Sequence, residues 1–200
     1  MPLGAFKAAL MGTAGVSAGA SVVLLHDTDY SDASTAAISS GITSTYSSYI
    51  FKFYNINPAT NGGRLLFQVN ATDDPGGGYD TSLITSTSIN VGHAEHVADA
   101  ELNYYADGHL AQSAAVQTLV YNCGNAADQS IAGELHLFNP SSTTYVKHFY
   151  ARMLSYRSDN YNLDLYTAGY INDASYAIND IRFRMASGNF DGTIKMFGVK

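Results

Sequence analysis

Two histidines and three carboxylates lie close together in the segment HAEHVADAEL, and side chains of these types can bind a transition metal. They are His93, Glu95, His96, Asp99 and Glu101. On a helix His93, His96 and Asp99 would share one face, and imidazole with carboxylate suits a transition metal. However, the two histidines are three residues apart, whereas the helical motif H-E-x-x-H places them four apart. We therefore predict a surface loop and no metal site, although His109 could join the group in space.

Three further carboxylates surround a run of glycines in TDDPGGGYD, at Asp73, Asp74 and Asp80. Carboxylate oxygens on a mobile loop can bind calcium. The spacing does not match the alternating ligands of the helix-loop-helix calcium site, and the combination of Pro and Gly sets the geometry of a turn. We predict a solvated hairpin loop that holds no cofactor.

An acid or base for catalysis could come from GELHLF, where Glu134 and His136 alternate along a predicted strand. A glycosidase needs two carboxyl groups about 5 to 9.5 Å apart, and the sequence identifies no partner for Glu134. Cys123 is the single cysteine, so we expect a buried thiol rather than a disulfide or a nucleophile. The sequence also lacks the G-x-S-x-G turn and a phosphate-binding glycine loop. We predict no catalytic residue, and therefore a protein that is not an enzyme.

Aromatic side chains are plentiful, with fifteen tyrosines, nine phenylalanines and no tryptophan. Tyrosine joins an apolar ring to a polar hydroxyl group, which suits protein interfaces and sugar stacking alike. We expect most of these rings in the core or on a sheet face. The tyrosines spread along the chain include Tyr46, Tyr49, Tyr54, Tyr104, Tyr105, Tyr145, Tyr150, Tyr156 and Tyr161.

The distribution of charge limits the classes of partner. Charged residues make up 14% of the chain, the formal net charge is −7, and no Lys or Arg lies between Arg64 and Lys147. Binding to nucleic acid requires a basic surface, so we predict that nucleic acid is not a partner. A polar surface built from Ser, Thr, Asn and Tyr suits contact with other proteins or with sugars.

Residues 1–20, MPLGAFKAALMGTAGVSAGA, differ in composition from the rest of the chain. They are rich in Gly, Ala and Ser and lack a strand period, so we predict an extended N-terminal arm that orders against a partner. A short signal peptide is the alternative, but glycine, threonine and serine interrupt its apolar stretch. The segment Ala8–Leu25 is too polar to span a membrane, so we predict no membrane partner.

Residues 21–200 carry short runs in which apolar and polar residues alternate, the period of a half-buried strand. Roughly ten such runs separated by turn residues predict an all-β domain, a two-sheet antiparallel sandwich or jelly roll. We expect Tyr46–Tyr54 and Gly63–Ala71 to pair as an antiparallel hairpin. The other predicted strands are Ser21–Asp29, Leu83–Ile89, Ala100–Tyr105, Gln117–Tyr121, Gly133–Phe138, Thr144–Tyr156, Leu163–Ile171, Ile181–Met185 and Thr193–Val199.

Two segments allow more specific expectations about structure. The C-terminal run Thr193–Val199 should be tied into a sheet, with Ile194 and Met196 on one face and Phe197 and Val199 on the other. HAEHVADAEL has some helical spacing, so the middle of the chain could contain one short helix.

Three segments resemble a known family. They are YIFKFYNINPATNGGRLLFQV (Tyr49–Val69), GELHLFNPSSTTYVKHFYARM (Gly133–Met153) and ASGNFDGTIKMFGVK (Ala186–Lys200). They are similar to the small β-sandwich virion proteins of marine tailed bacteriophages, and the ending S-G-N-x-D-G-T-I-K is fairly distinctive. The likeness covers most of the chain after about residue 20. It supplies no catalytic, cofactor-binding or metal-binding residue.

This resemblance implies a structural protein of the virion that is made in the cytoplasm of the host bacterium. A single short domain without coiled-coil heptads suits a capsid decoration or cement protein, because a fibre shaft would need heptads or repeats. The alternative is a small tail fibre, an adaptor or a receptor-binding tail protein that binds host glycan. The expected partners are other virion proteins, further copies of this chain in a homotrimer and a glycan of the host surface.

Overall fold

A computed structural model describes residues 21–72, 79 and 82–200. This part of the chain is all-β and forms two antiparallel sheets, which confirms the predicted two-sheet sandwich. The predicted arm at residues 1–20 and the predicted loop around Asp73, Asp74 and Asp80 lie outside the described residues. The division into an arm and one domain therefore stays a prediction.

Thirteen strands make up the two sheets of the described chain. They are β1 (Val22–Ala33), β2 (Ala36–Ile38), β3 (Ser48–Pro58), β4 (Gly63–Ala71), β5 (Ile84–Ala94), β6 (Ala100–Tyr104), β7 (Leu110–Ser113), β8 (Gln117–Cys123), β9 (Ile131–Phe138), β10 (Lys147–Tyr156), β11 (Tyr161–Ile171), β12 (Ile178–Met185) and β13 (Phe190–Val199). The large sheet has the order β1-β13-β3-β9-β10-β11-β5-β6, and β7 also pairs with β5. The small sheet has the order β2-β12-β4-β8. Among the described residues no helix is long and apolar enough to cross a membrane.

The core lies between the large sheet and the small sheet. In β10 the residues Phe149, Ala151 and Met153 are buried, and the intervening residues point to solvent. This alternation follows from the strand geometry, in which successive side chains project from opposite faces of the sheet. Burial of each large apolar side chain is worth about 1.5–3 kcal/mol.

Aromatic rings join the two sheets across the core. Phe183 of the small sheet lies against Phe51 and Phe53 of the large sheet, with ring centroids 5.4 Å and 4.9 Å apart. Phe67 and Phe149 form a second contact between the sheets, at 5.1 Å and close to perpendicular. Edge-to-face contacts of this kind are favourable beyond the area that they bury.

The predicted hairpin between Tyr46–Tyr54 and Gly63–Ala71 is wrong. β3 lies between β13 and β9 in the large sheet, whereas β4 lies between β12 and β8 in the small sheet. The short connection after Pro58 carries the chain from one sheet to the other, and the backbone N–H of Ala59 donates to the carbonyl of Asn189 at 2.8 Å. Alternation indicates that a segment forms a strand, but the neighbours of that strand in the sheet depend on distant parts of the chain.

The prediction for the C-terminal run is confirmed. β13 pairs with β1 on one side and with β3 on the other. Ile194 and Met196 are both 0% exposed, while Phe197 and Val199 lie on the opposite face and are half-buried. The segment HAEHVADAEL does not form the short helix that its spacing allowed, because it connects β5 to β6 as a hairpin.

Candidate functional site

The outer face of the large sheet, which points away from the small sheet, exposes a continuous set of large apolar side chains. Register places Ile89 of β5 opposite both Tyr166 of β11 and Tyr104 of β6. Val91 of β5 likewise lies opposite Leu102 of β6. We call this set the main patch, and its members are between 40% and 73% exposed: Ile89, Val91, Leu102, Tyr104, Tyr150, Leu154 and Tyr166.

Strand β5 buries its polar side chains and exposes its apolar ones, the reverse of the usual arrangement. Ser88 and Asn90 are each 1% exposed and face the interior, whereas Ile89 and Val91 face solvent at 43% and 44% exposure. Serine and asparagine are mostly exposed in proteins, while isoleucine and valine are among the residues most often buried. An exposed apolar face of this kind is typical of a surface that contacts another molecule.

Hydrogen bonds hold β5 in this orientation. The hydroxyl groups of Ser88 and Thr167 lie 2.9 Å apart, and the Ser88 hydroxyl also donates to the carbonyl of Gly108 at 3.2 Å. The side-chain amide of Asn90 donates to Glu101 at 3.0 Å. A shift of β5 by one residue would bury Ile89 and Val91 but would break these bonds, since a one-residue slip turns every side chain to the other face.

The main patch contains a shallow apolar cleft of about 320 Å³. Its walls include Ile89, Tyr150 and Tyr166, and its floor includes Ala168 on β11. The small side chain of Ala168 lies in register with Tyr150, which leaves a depression beside that ring. A depression of this type can receive one large apolar side chain of a partner.

The charges on the outer face are paired within the chain. Arg152 makes a two-pronged contact with Asp164, at 2.7 Å from Nη2 and 3.1 Å from Nε, and its guanidinium group lies 5.0 Å from the centre of the Tyr166 ring. Lys52 lies 3.6 Å from Glu134. At the far edge of the sheet Lys195 lies 2.9 Å from Asp27. These three basic side chains therefore carry little unbalanced positive charge.

The two residues that could have supplied an acid or a base, Glu134 and His136, lie on this same face. His136 stacks on Tyr150 with ring centroids 4.4 Å apart, and its Nε2 lies 3.1 Å from Glu134 Oε1. The other carboxylate oxygen of Glu134 faces Lys52. Glu134 thus takes part in a network of surface charges on neighbouring strands, and the prediction that the protein is not an enzyme stays a prediction.

The residues considered for a metal site do not converge. His93 Nδ1 donates to the carbonyl of Ala94 at 2.7 Å, and Asp99 accepts a hydrogen bond from Tyr161 at 2.5 Å. The remaining members are engaged elsewhere: His96 lies 3.5 Å from Glu95, Glu101 lies 2.6 Å from Arg157, and His109 packs on Tyr104 and contacts the carbonyl of Ser88. Among the described residues no group of three or more His, Cys, Asp or Glu is arranged to hold a metal.

Cys123 is buried at the end of β8, as predicted, and its thiol donates to the carbonyl of Gly124 at 3.3 Å. Burial raises the pKa of the Cys123 thiol, so the reactive thiolate is scarce at neutral pH. We expect no reaction of the native protein with Ellman's reagent and one reacting thiol per chain after unfolding in guanidinium chloride. Rapid reaction of one thiol per native chain would show that Cys123 is accessible.

Sequence reasoning named Tyr104 and Tyr150 only as members of a long list of tyrosines, and it missed the other residues of the main patch. The signal was present in SINV (Ser88–Val91), where small polar residues alternate with β-branched apolar residues. Alternation is equally compatible with either face being buried. The apolar face of a strand is normally the buried one, so the alternation in this segment gives no sign of an exposed apolar face.

No protein-family model matches the chain, and neither the curated proteins nor the solved structures include a match.

Proposed function

We propose that this protein is a non-enzymatic structural component of a bacteriophage particle, a capsid decoration or cement protein exposed on the particle surface. The main observation behind this proposal is that β5 buries its polar side chains and exposes Ile89 and Val91 within a large apolar surface. Soluble monomers seldom leave extended apolar patches uncovered. The assignment to a virion assembled in the bacterial cytoplasm is supported by the resemblance of three segments, which include most of β3, β9 and β13.

The partner on the main patch is a second copy of this chain. A net charge of −7 opposes the approach of two copies in general. On the outer face, however, Lys52, Arg152 and Lys195 each pair with a carboxylate of the same chain. These three cations therefore do not add to the repulsion between two copies that meet through this face.

A second apolar surface lies at the opposite edge of the large sheet. Val22 and Leu24 of β1 are each 49% exposed. They lie opposite Val199 and Phe197 of β13, on the same outer face as the main patch. We call Val22, Leu24, Phe197 and Val199 the edge patch. Two different patches on one chain allow head-to-tail contacts, which form a closed ring when the rotation between successive copies closes.

The proposed assembly is a homotrimer in which the main patch of each copy contacts the edge patch of the next. To test this assembly, the Leu102→Lys variant of the main patch and the Leu24→Lys variant of the edge patch are compared by size-exclusion chromatography and light scattering. The wild-type protein should have three times the 21.4 kDa chain mass, and each variant should be a monomer. The control is Tyr145→Lys, since Tyr145 is 70% exposed and lies outside both patches.

Mixing the two variants distinguishes a ring from other assemblies. A Leu102→Lys chain keeps its edge patch and a Leu24→Lys chain keeps its main patch, so one contact can form between them. We expect the mixture to form a dimer that does not close into a trimer. A trimer formed by either variant alone would contradict the ring, as would a wild-type protein that is monomeric at all concentrations tested.

Copy number tests where the protein sits on the particle. A decoration protein covers the head and is present in many copies, whereas a tail adaptor or receptor-binding fibre is present in few. We expect quantitative gel densitometry of purified particles to give a molar amount comparable with that of the major capsid protein. A ratio typical of tail proteins would favour the alternative, a small tail fibre or adaptor.

A further inference from the structure

A second cleft, of about 430 Å³, lies on the outer face at the end of the large sheet near the β5 to β6 turn. Tyr156 of β10, Asn162 of β11 and His93 of β5 lie side by side across three neighbouring strands. Asn162 is shorter than the residues on either side, so the row dips at its centre. Glu95 closes one end of the cleft. The volume lies within the range of about 300–1,000 Å³ that is typical of small-molecule sites.

The walls of this cleft are held in place by the chain itself. The backbone N–H of Glu95 donates to the carbonyl of Asn160 at 2.9 Å, which fixes the turn against the start of β11. The hydroxyl of Tyr156 donates to Glu95 Oε2 at 2.6 Å, and this bond raises the pKa of Tyr156. The Tyr156 hydroxyl thus orients the Glu95 carboxylate.

The polar groups that remain in the cleft can donate and accept hydrogen bonds. The side-chain amide of Asn162 makes no hydrogen bond to any described residue, so both its N–H groups and its oxygen can bind a ligand. His93 Nδ1 donates to the carbonyl of Ala94, which leaves Nε2 as the ring nitrogen that can bond to a ligand. Glu95 Oε1 is a second acceptor, because Tyr156 bonds to Oε2.

This set of groups selects among classes of ligand. No Lys or Arg lines the cleft, and Glu95 would repel an anion, so phosphate and carboxylate ligands are disfavoured. A divalent cation would need more oxygen or imidazole ligands than converge here, since no such group occurs among the described residues. A neutral sugar fits, because its hydroxyl groups both donate and accept and its C–H face can rest on the Tyr156 ring.

We infer that this cleft binds a neutral sugar residue, the end of a glycan. Asn162, Glu95 and His93 bond to its hydroxyl groups, and Tyr156 supplies the apolar wall. The inference does not rest on the virion proposal, since it follows from the lining of the cleft alone. It adds a binding activity to a surface that the trimer contact does not need, because none of the four residues belongs to the main patch or to the edge patch.

The test is saturation-transfer difference NMR of the full chain with glucose, galactose, mannose, N-acetylglucosamine and rhamnose, each present in the millimolar range. We expect binding of at least one of them. Asn162→Ala and Tyr156→Ala should each weaken that binding about tenfold, the loss expected for a hydrogen-bonding or stacking group worth about 1.4 kcal/mol. Tyr156→Phe keeps the ring and loses only the bond to Glu95, so its effect should be smaller.

Tyr54→Ala is the matched control, because Tyr54 is an exposed tyrosine on the same face but outside the cleft. It should bind the sugar like the wild-type protein. The inference is overturned if none of the five sugars binds, or if Asn162→Ala and Tyr156→Ala bind like Tyr54→Ala while their melting curves match the wild type. Competition of inorganic phosphate for the same residues would also overturn it.

Discussion

A chain that ends at Gly192, without Thr193–Lys200, is expected to aggregate or fail to fold. β13 lies inside the large sheet, between β1 and β3. The truncation leaves most of β1 without a partner in the large sheet and exposes the hydrogen-bonding groups of β3, and long uncovered strand edges promote association. It also removes Ile194 and Met196, which are fully buried. Each such loss costs about 2–5 kcal/mol against a total stability of about 5–15 kcal/mol.

Point substitutions in β13 measure how much its buried side chains stabilise the protein while its pairing with β1 and β3 stays intact. Met196→Ala should destabilise the protein by about 2–5 kcal/mol, since it leaves a cavity under an intact strand. Lys195→Ala removes the solvent-exposed pair with Asp27 and should leave the melting curve close to that of the wild type. Circular dichroism melts and denaturant titrations measure both. A soluble truncated chain with an unaltered melting curve would contradict the central position of β13.

The second large effect concerns particles rather than folding. Deletion of Met1–Gly19 should leave the sandwich folded and reduce the amount of the protein on purified particles below detection. The deleted segment is rich in Gly, Ala and Ser and has no strand period. Such a segment has little apolar surface with which to stabilise the sheets, and it suits ordering against another protein.

The control for this deletion is an arm of the same length and composition in scrambled order. It should fold like the deletion variant and should also fail to join particles if the arm is recognised through specific side chains. Incorporation is measured by immunoblotting of particles produced in a host that supplies the variant, and folding is measured by the melting curve. Normal incorporation of the deletion variant, or loss of its cooperative melt, would contradict the assignment of the arm.

Local patterns were sufficient to predict most of the strands. Gly63–Ala71 has the bounds of β4, and the alternation in Thr193–Val199 identified Ile194 and Met196 as the buried face of β13. β2 and β7 were missed because three and four residues hold too few repeats of the pattern to stand out. An alternating segment that is long enough can therefore be recognised as a strand from its own residues.

Local patterns did not predict which sheet each strand joins, nor which side chains of β5 face solvent. β3 and β4 follow each other closely in sequence but belong to different sheets, because their partners β9, β13, β8 and β12 come from much later in the chain. The side chains that β5 turns inward are held by hydrogen bonds to Thr167, Gly108 and Glu101. These contacts are non-local, so the main patch became visible only in the folded structure.

The most direct test of the proposed function is immunogold electron microscopy of purified phage particles with an antibody against residues 21–200. The proposal predicts gold particles distributed over the capsid surface, because a decoration protein is present in many exposed copies. Label confined to the tail would contradict the decoration role and favour the tail alternative. The absence of label from particles that contain their full set of other proteins would contradict the virion assignment itself.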